Sequence, residues 1–219
     1  MFSPAYFIAF ITLLIVLMAL IQIGLLSIAF EKLGLSPNTG FLLLLASLFG
    51  SGINLPLARV RAEPSEPGQI PPYLRGLLRQ PPQPFSGQTL IAINIGGCVI
   101  PVAFSLYLLS HHPLPLSQAL LGILLVSAVS YAFSRPIPGL GIAMPALLAP
   151  ITAALAALLI NPAMSPPLAY VAGTLGVLIG ADLLHMKDVR HLGTPVVSIG
   201  GAGTFDGIFI TGIVAVLLA

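Results

Sequence analysis

The stretch "SIGGAGTFDGIFITG", Ser198 to Gly212, puts one aspartate behind a cluster of glycines inside an otherwise apolar C-terminal run. The run from 194 to 219 is long enough to cross a bilayer, which takes about 20 apolar residues as helix, yet Gly200, Gly201 and Gly203 loosen its middle. An ionisable side chain at the centre of a span costs at least about 2.5 kcal/mol, so Asp206 is a functional candidate by default. Read as a broken span, this stretch makes the chain an all-α, polytopic bundle of membrane helices.

Composition agrees with that reading. Of 219 residues, 57% are hydrophobic and only 6% charged, too few to clothe a soluble globule of this size. The apolar runs are continuous and do not alternate, which argues against a membrane barrel. No sizeable soluble domain is visible, which argues against a nucleic-acid or signalling-receptor role. The lone Cys98 allows no intrachain disulfide and no cysteine-based metal site, and packing is its expected role.

Joints rich in charge or proline divide 1–219 into about seven spans of one transmembrane domain: 5–30, 41–58, 89–109, 117–133, 140–160, 168–186 and 194–219. The first is too long for a signal-peptide core and lacks a small-x-small cleavage site, so it is expected to be retained. Arg59, Arg61, Arg75, Arg79, Arg135, Lys187 and Arg190 then fall on one side and Lys32 on the other. Cytoplasmic loops carry the basic excess, so the N-terminus is expected inside and the C-terminus outside, in a multi-pass protein of the inner or plasma membrane. The proline-rich connection 59–88 contains "PPYLRGLLRQPP", with Leu74, Leu77 and Leu78 on one helical face and Arg75 and Arg79 on another. An interfacial helix over 73–80 fits that pattern, as does a flexible linker.

Three spans are interrupted: by "FGSGINLP", by "NIGGCVIP" and by "SIGGAG". Unwound backbone at membrane depth is tolerated where it lines a protein-buried or wet cavity, and Asn54 and Asn94 beside two of the breaks are candidates to line it or to bond between helices. There is also a faint repeat. The pair "FGSGINLPLARVRA" and "INIGGCVIPVAF" resembles "IGADLLHMKDVRH" and "SIGGAGTFDGIF".

Only Asp182 and Asp206, among six acidic residues, lie inside spans. From Leu168 to Asp182 the helical rise is about 21 Å and from Asp206 to Ala219 about 20 Å, so antiparallel neighbours would hold the two carboxyls at similar depth. Gly200, Gly201 and Gly203 would let backbone approach closely, and Thr204 could cap a helix beginning at Phe205. The helix dipole would favour a charged Asp206 while burial and a second carboxylate favour a proton. Such a pair can share one proton, which is the requirement for metal-free peptide hydrolysis. "DLLHMKD" could present Asp182, His185 and Asp188 on one face, but the stronger reading is the watery end of a span, so no metal and no cofactor are expected. His111 and His112 are expected in a solvated external loop.

With "IGADLL" on one span and "SIGGAGTFDGIFITG" on the next, the chain is identified as a member of an uncharacterised family of prokaryotic integral membrane proteins, the domain of unknown function numbered sixteen-fourteen. That membership implies no activity. "GAGTFDGIF" also resembles the G-x-G-D motif of presenilin and signal-peptide-peptidase proteases, and "MPALLAP" contains their Pro-Ala-Leu triplet at Pro145, Ala146 and Leu147. The departures are that Asp206 comes two residues late, Ala181 stands where a tyrosine is usual, and the triplet precedes both aspartates. The resemblance implies an aspartyl protease acting on a membrane-protein or peptide substrate. A transporter or channel for a small solute or cation, and a structural or assembly subunit, are the alternatives; the bilayer is the one partner common to all three.

Overall fold

The computed structural model describes residues 10–17, 19, 24–62, 87–137, 141–201 and 207–219. Residues 10–17 are helical. The elements that follow are α1 (Leu25–Lys32), α2 (Pro37–Gly50), β1 (Asn54–Arg61), β2 (Gln88–Asn94), α3 (Ile95–His111), α4 (Leu116–Phe133), β3 (Arg135–Ile137), β4 (Gly141–Ala143), α5 (Leu148–Ile160), α6 (Pro162–Leu183), a 3-10 turn (Met186–His191), β5 (Val196–Ile199) and α7 (Gly207–Leu218).

Local chemistry sets the ends of these elements. Ser36 accepts the Thr39 N–H at 3.2 Å with Pro37 next to it, a capped start that turns α2 by 101° from α1. Gly40 makes that bend compact, because a Cβ there would meet the Phe30 ring at 2.2 Å. Asn94 likewise accepts the Gly97 N–H at 2.8 Å and opens α3, whose first turn, Ile95–Val99, is wound wide as a π turn. A second π turn, Leu178–Leu183, ends α6.

The core is built on α6. Leu168, Ala169, Tyr170, Val171, Ala172 and Thr174 are fully buried, and Phe104 of α3 meets the Tyr170 ring edge-on at 4.9 Å. Glycines let its neighbours close in. Gly122 of α4 lies on Ala172, Gly176 on Val126 and Gly180 on Ser127, contacts that advance together, so α4 and α6 run parallel. Ser165 donates to the Ala219 carbonyl at 3.2 Å while Gly173 lies against Thr211, so α7 returns antiparallel to α6. An apolar window of α6 is 72% buried, against 28% for α4, whose outer face exposes Leu116, Leu120, Leu121, Leu124 and Leu125. A helix apolar all round belongs at the centre of a bundle, and one with an exposed apolar face belongs at its rim.

The chain is mostly helical. By length and composition α4 and α6 can each cross a membrane, and α1 with α2 makes a third span if the bent pair is one. An all-α fold is too simple a description, because several of the apolar runs are part strand. The run 41–58 leaves its helix at Gly50 and enters β1, 89–109 begins as β2, 140–160 begins with β4, and 194–219 begins with β5. The β-branched residues of "TLIAIN" and "VVSI" suit pleated pairing, Pro56 is tolerated because β1 is an edge strand, and a short apolar run does not distinguish a buried strand from a helix by periodicity. β1 pairs antiparallel with β2, and β2 pairs parallel with β5, in the order β1-β2-β5. The segment expected as an interfacial helix, 73–80, lies outside the described residues.

Candidate functional site

The sheet brings two of the sequence breaks together. β2 runs into Gly96 and Gly97, β5 runs into Gly200 and Gly201, and the strands are parallel neighbours in which Ile93 pairs with Ile199. The two glycine turns touch. Gly200 has φ +76, and a Cβ on it would lie 2.6 Å from the carbonyl carbon and oxygen of Gly97. Only glycine combines that left-handed backbone with so close an approach.

Asp182 sits half-buried in the π turn of α6 and accepts the Gly200 N–H on Oδ2 at 2.6 Å. The bond clamps the end of α6 to the residue that opens the glycine-rich lead-in. A charge-assisted bond of this length is among the stronger kinds a carboxylate makes to backbone. α2 makes a matching contact at the other turn, where Ser47 donates to the Gly96 carbonyl at 2.7 Å. A Cβ on Gly96 would come within 2.4 Å of the Ser51 amide nitrogen.

Asn94 is the hub of the polar cluster. Its Oδ1 accepts from Gly97, and its Nδ2 donates to the Ser51 carbonyl at 2.7 Å and to Asn54 Oδ1 at 3.0 Å. Asn54 Oδ1 also accepts from Ser198 at 2.5 Å, so β1, β2, β5 and the turn after α2 are tied through two amides. Gly201 closes the cluster, since a Cβ there would lie 3.1 Å from Asn94 Nδ2. Asn54, Asn94, Asp182, Gly200 and Gly201 are thus drawn together. Pro145 stands exposed in the turn before α5, its carbonyl accepting from Leu148 at 3.2 Å. Gly203, Thr204 and Asp206 lie outside the described residues.

His185 is not a free ligand one turn beyond Asp182. It is buried, its Nδ1 lies 3.2 Å and 3.1 Å from the carbonyls of Gly180 and Ala181, and its ring packs 4.7 Å from Tyr131. Both partners are acceptors, so Nδ1 carries a proton. Among the described residues no three His, Cys, Asp or Glu side chains group as metal ligands. Sequence reasoning missed Ser47, Ser51 and Ser198 because a lone serine in an apolar run gives no periodic signal; the alternation of β5, had the strand been recognised, places Ser198 two residues from Val196 on the same face.

No curated protein and no solved structure matches the chain. A family model does match, over residues 48–218, from the end of α2 through α7, and so takes in Asn54, Asn94, Asp182, Gly200 and Gly201. The chain therefore belongs to the family described as Protein of unknown function (DUF1614).

Proposed function

We propose that this protein hydrolyses peptide bonds within the membrane, using Asp182 and Asp206 as a proton-sharing pair. The observation that carries the reading is the clamp between Asp182 and Gly200. Position 206 lies in the chain between Gly200, bonded to Asp182, and Thr211, packed on Gly173 of the same helix. Six residues of chain separate Gly200, which Asp182 holds, from Asp206. The reading requires the two carboxyls to be joined through one water, with one accepting its proton as the other donates to the scissile carbonyl. The substrate is a membrane-protein or peptide segment, and the chemistry requires no metal or cofactor.

The wider frame is one domain over 1–219 in the inner or plasma membrane, crossing about seven times with its N-terminus cytoplasmic. Exposed Arg59, Arg61, Arg135, Lys187 and Arg190 support the orientation. The parallel pairing of β2 with β5 supports the count of crossings, since α3 and α7 leave the sheet in the same sense, as third and seventh spans must. The test is cleavage of a membrane-spanning reporter by the full chain in liposomes. Asp182→Asn and Asp206→Asn should each abolish it, and cleavage at the normal rate by either variant sinks the proposal.

The pairing of two strand–glycine–helix units favours a second reading, a transporter whose broken spans bind a small solute or cation. It predicts pH- or ion-driven uptake into the same liposomes, lost in both aspartate variants, with the reporter left intact.

A further inference from the structure

β1 carries an irregularity that decides where two arginines point. Asn54 pairs with Asn94 and Pro56 with Ala92, but the next pair is Ala58 with Ile91, leaving Leu57 without a partner in the register. After this bulge Arg59 pairs with Leu90 and Arg61 with Gln88. Directly paired residues share a face and a strand alternates with period two, so Asn54, Pro56, Arg59 and Arg61 all lie on one face of the sheet. Val196 and Ser198 of β5 join them through Leu90 and Ala92. A regular strand would send both arginines to the opposite face, where Thr89, Ile91 and Ile199 are buried.

The face so formed is basic, covered over β2 at Ala92 and Asn94 and open at the end that carries the arginines. Asn54, Pro56, Arg59, Arg61, Gln88 and Val196 are exposed, and the three strands contain no acidic residue. The approach to it is apolar: Ile53, Leu55 and Leu57 are 51%, 48% and 62% exposed, and Phe49 at the end of α2 is 65% exposed. Leu57 to Arg61 covers about 13 Å of strand, the distance over which a chain leaving the acyl region reaches the headgroups. Exposed aliphatic side chains followed along the strand by two guanidinium groups, Arg59 about 7 Å and Arg61 about 13 Å beyond Leu57, suit lipid on one side and phosphate on the other.

We propose that β1, the edge strand, binds anionic phospholipid along its open side, with Arg59 and Arg61 on the phosphate and, from the opposite face and the bulge, Leu55 and Leu57 among the acyl chains. The site is separate from Asp182 and does not depend on peptide hydrolysis. Each basic residue near an anionic surface contributes about a fivefold preference, so the pair contributes about 25-fold.

The experiment is native mass spectrometry of the detergent-solubilised full chain titrated with phosphatidylglycerol or phosphatidylcholine. Phosphatidylglycerol should be retained about 25-fold better. Arg59→Gln with Arg61→Gln should bring the two lipids close to parity, Arg59→Lys with Arg61→Lys should keep most of the preference, and Lys32→Gln, at the far end of α7 where Lys32 donates to the Val216 carbonyl, should leave it unchanged. Helix content by circular dichroism is measured on each variant, and the lysine pair serves as the folded comparison if the glutamine pair is unstable. Equal retention of both lipids by the wild-type chain, or an undiminished preference in a folded glutamine pair, overturns the proposal. So does displacement of phosphatidylglycerol by an equal concentration of soluble glycerol phosphate, which would mark a site for free phosphate; failure of the soluble phosphate to compete supports the lipid.

Discussion

Replacing Gly200 by alanine tests the touching glycine turns on which the candidate site rests. Two costs add at this position. The backbone is left-handed, with φ +76, which disfavours an L side chain by about 1–2 kcal/mol. The new Cβ would also lie 2.6 Å from Gly97 C and O and 2.7 Å from the Cys98 Cβ. Because the nearest atoms are backbone, no side-chain rotation relieves the contact, and overpacking of this kind adds about 1–3 kcal/mol. The sum, about 2–5 kcal/mol, is large against an ordinary folding stability. Gly87→Ala supplies the reference: φ is +74 and nothing among the described residues lies within 4 Å of the added Cβ, so there it carries the backbone cost alone. The assay is reversible unfolding in mixed micelles followed by circular dichroism. Gly200→Ala should lose at least about 1 kcal/mol more than Gly87→Ala, and Cys98→Ala should not rescue it, since the Cβ and the Gly97 carbonyl remain. If the two glycine variants are equally mild, the turns are not in contact and the reasoning fails.

Three further outcomes can be measured in the same way. Asp182→Ala leaves the Gly200 N–H unpaired and should cost about 1–3 kcal/mol, whereas Asp182→Asn keeps an acceptor oxygen and should cost less; equal losses would show that the bond is absent. Asn94→Ala removes the acceptor for Gly97 and the donor for Ser51 and Asn54, and should destabilise by about 2–4 kcal/mol, with Asn94→Asp intermediate because it keeps only the acceptor; a neutral alanine variant would remove Asn94 as the hub. Ser130 on α4 is buried and its hydroxyl has no partner among the described residues, so Ser130→Ala should be neutral or stabilising by up to about 1 kcal/mol, and a clear destabilisation would mean that its hydroxyl has a partner.

Hydropathy was enough to find the helices that have room to be helices. The run 117–133 is α4 almost to the residue, and 168–186 covers most of α6. It fails where an apolar run mixes two structures, as in 89–109, because Leu90, Ile91 and Ile93 are as apolar in a sheet as in a span. The candidate site was half legible. Asp182 was marked by the cost of burying a carboxylate, and Gly200 by its neighbours, but their bond depends on β5, a strand of four residues that carries no periodic signal of its own. Asn94 was noted for its place beside a glycine pair; that it holds three partners at once follows only from the pairing of β1 with β2.

The parallel contact between β2 and β5 also sets an order of events during synthesis. Thr89 donates to the Thr194 carbonyl across 105 residues of sequence, and α3, α4, α5 and α6 must all be made before that bond can form. Closing so long a loop is slow and is repaid only at the end. Until β5 leaves the ribosome, β2 presents an open edge and Asp182 has no Gly200 to hold. The bonds of Asp182 to Gly200 and of Ser198 to Asn54 are therefore among the last to form, whereas those of Asn94 need only the chain up to Gly97, so a chain truncated before Val196 would keep most of its helices and lack the clamp.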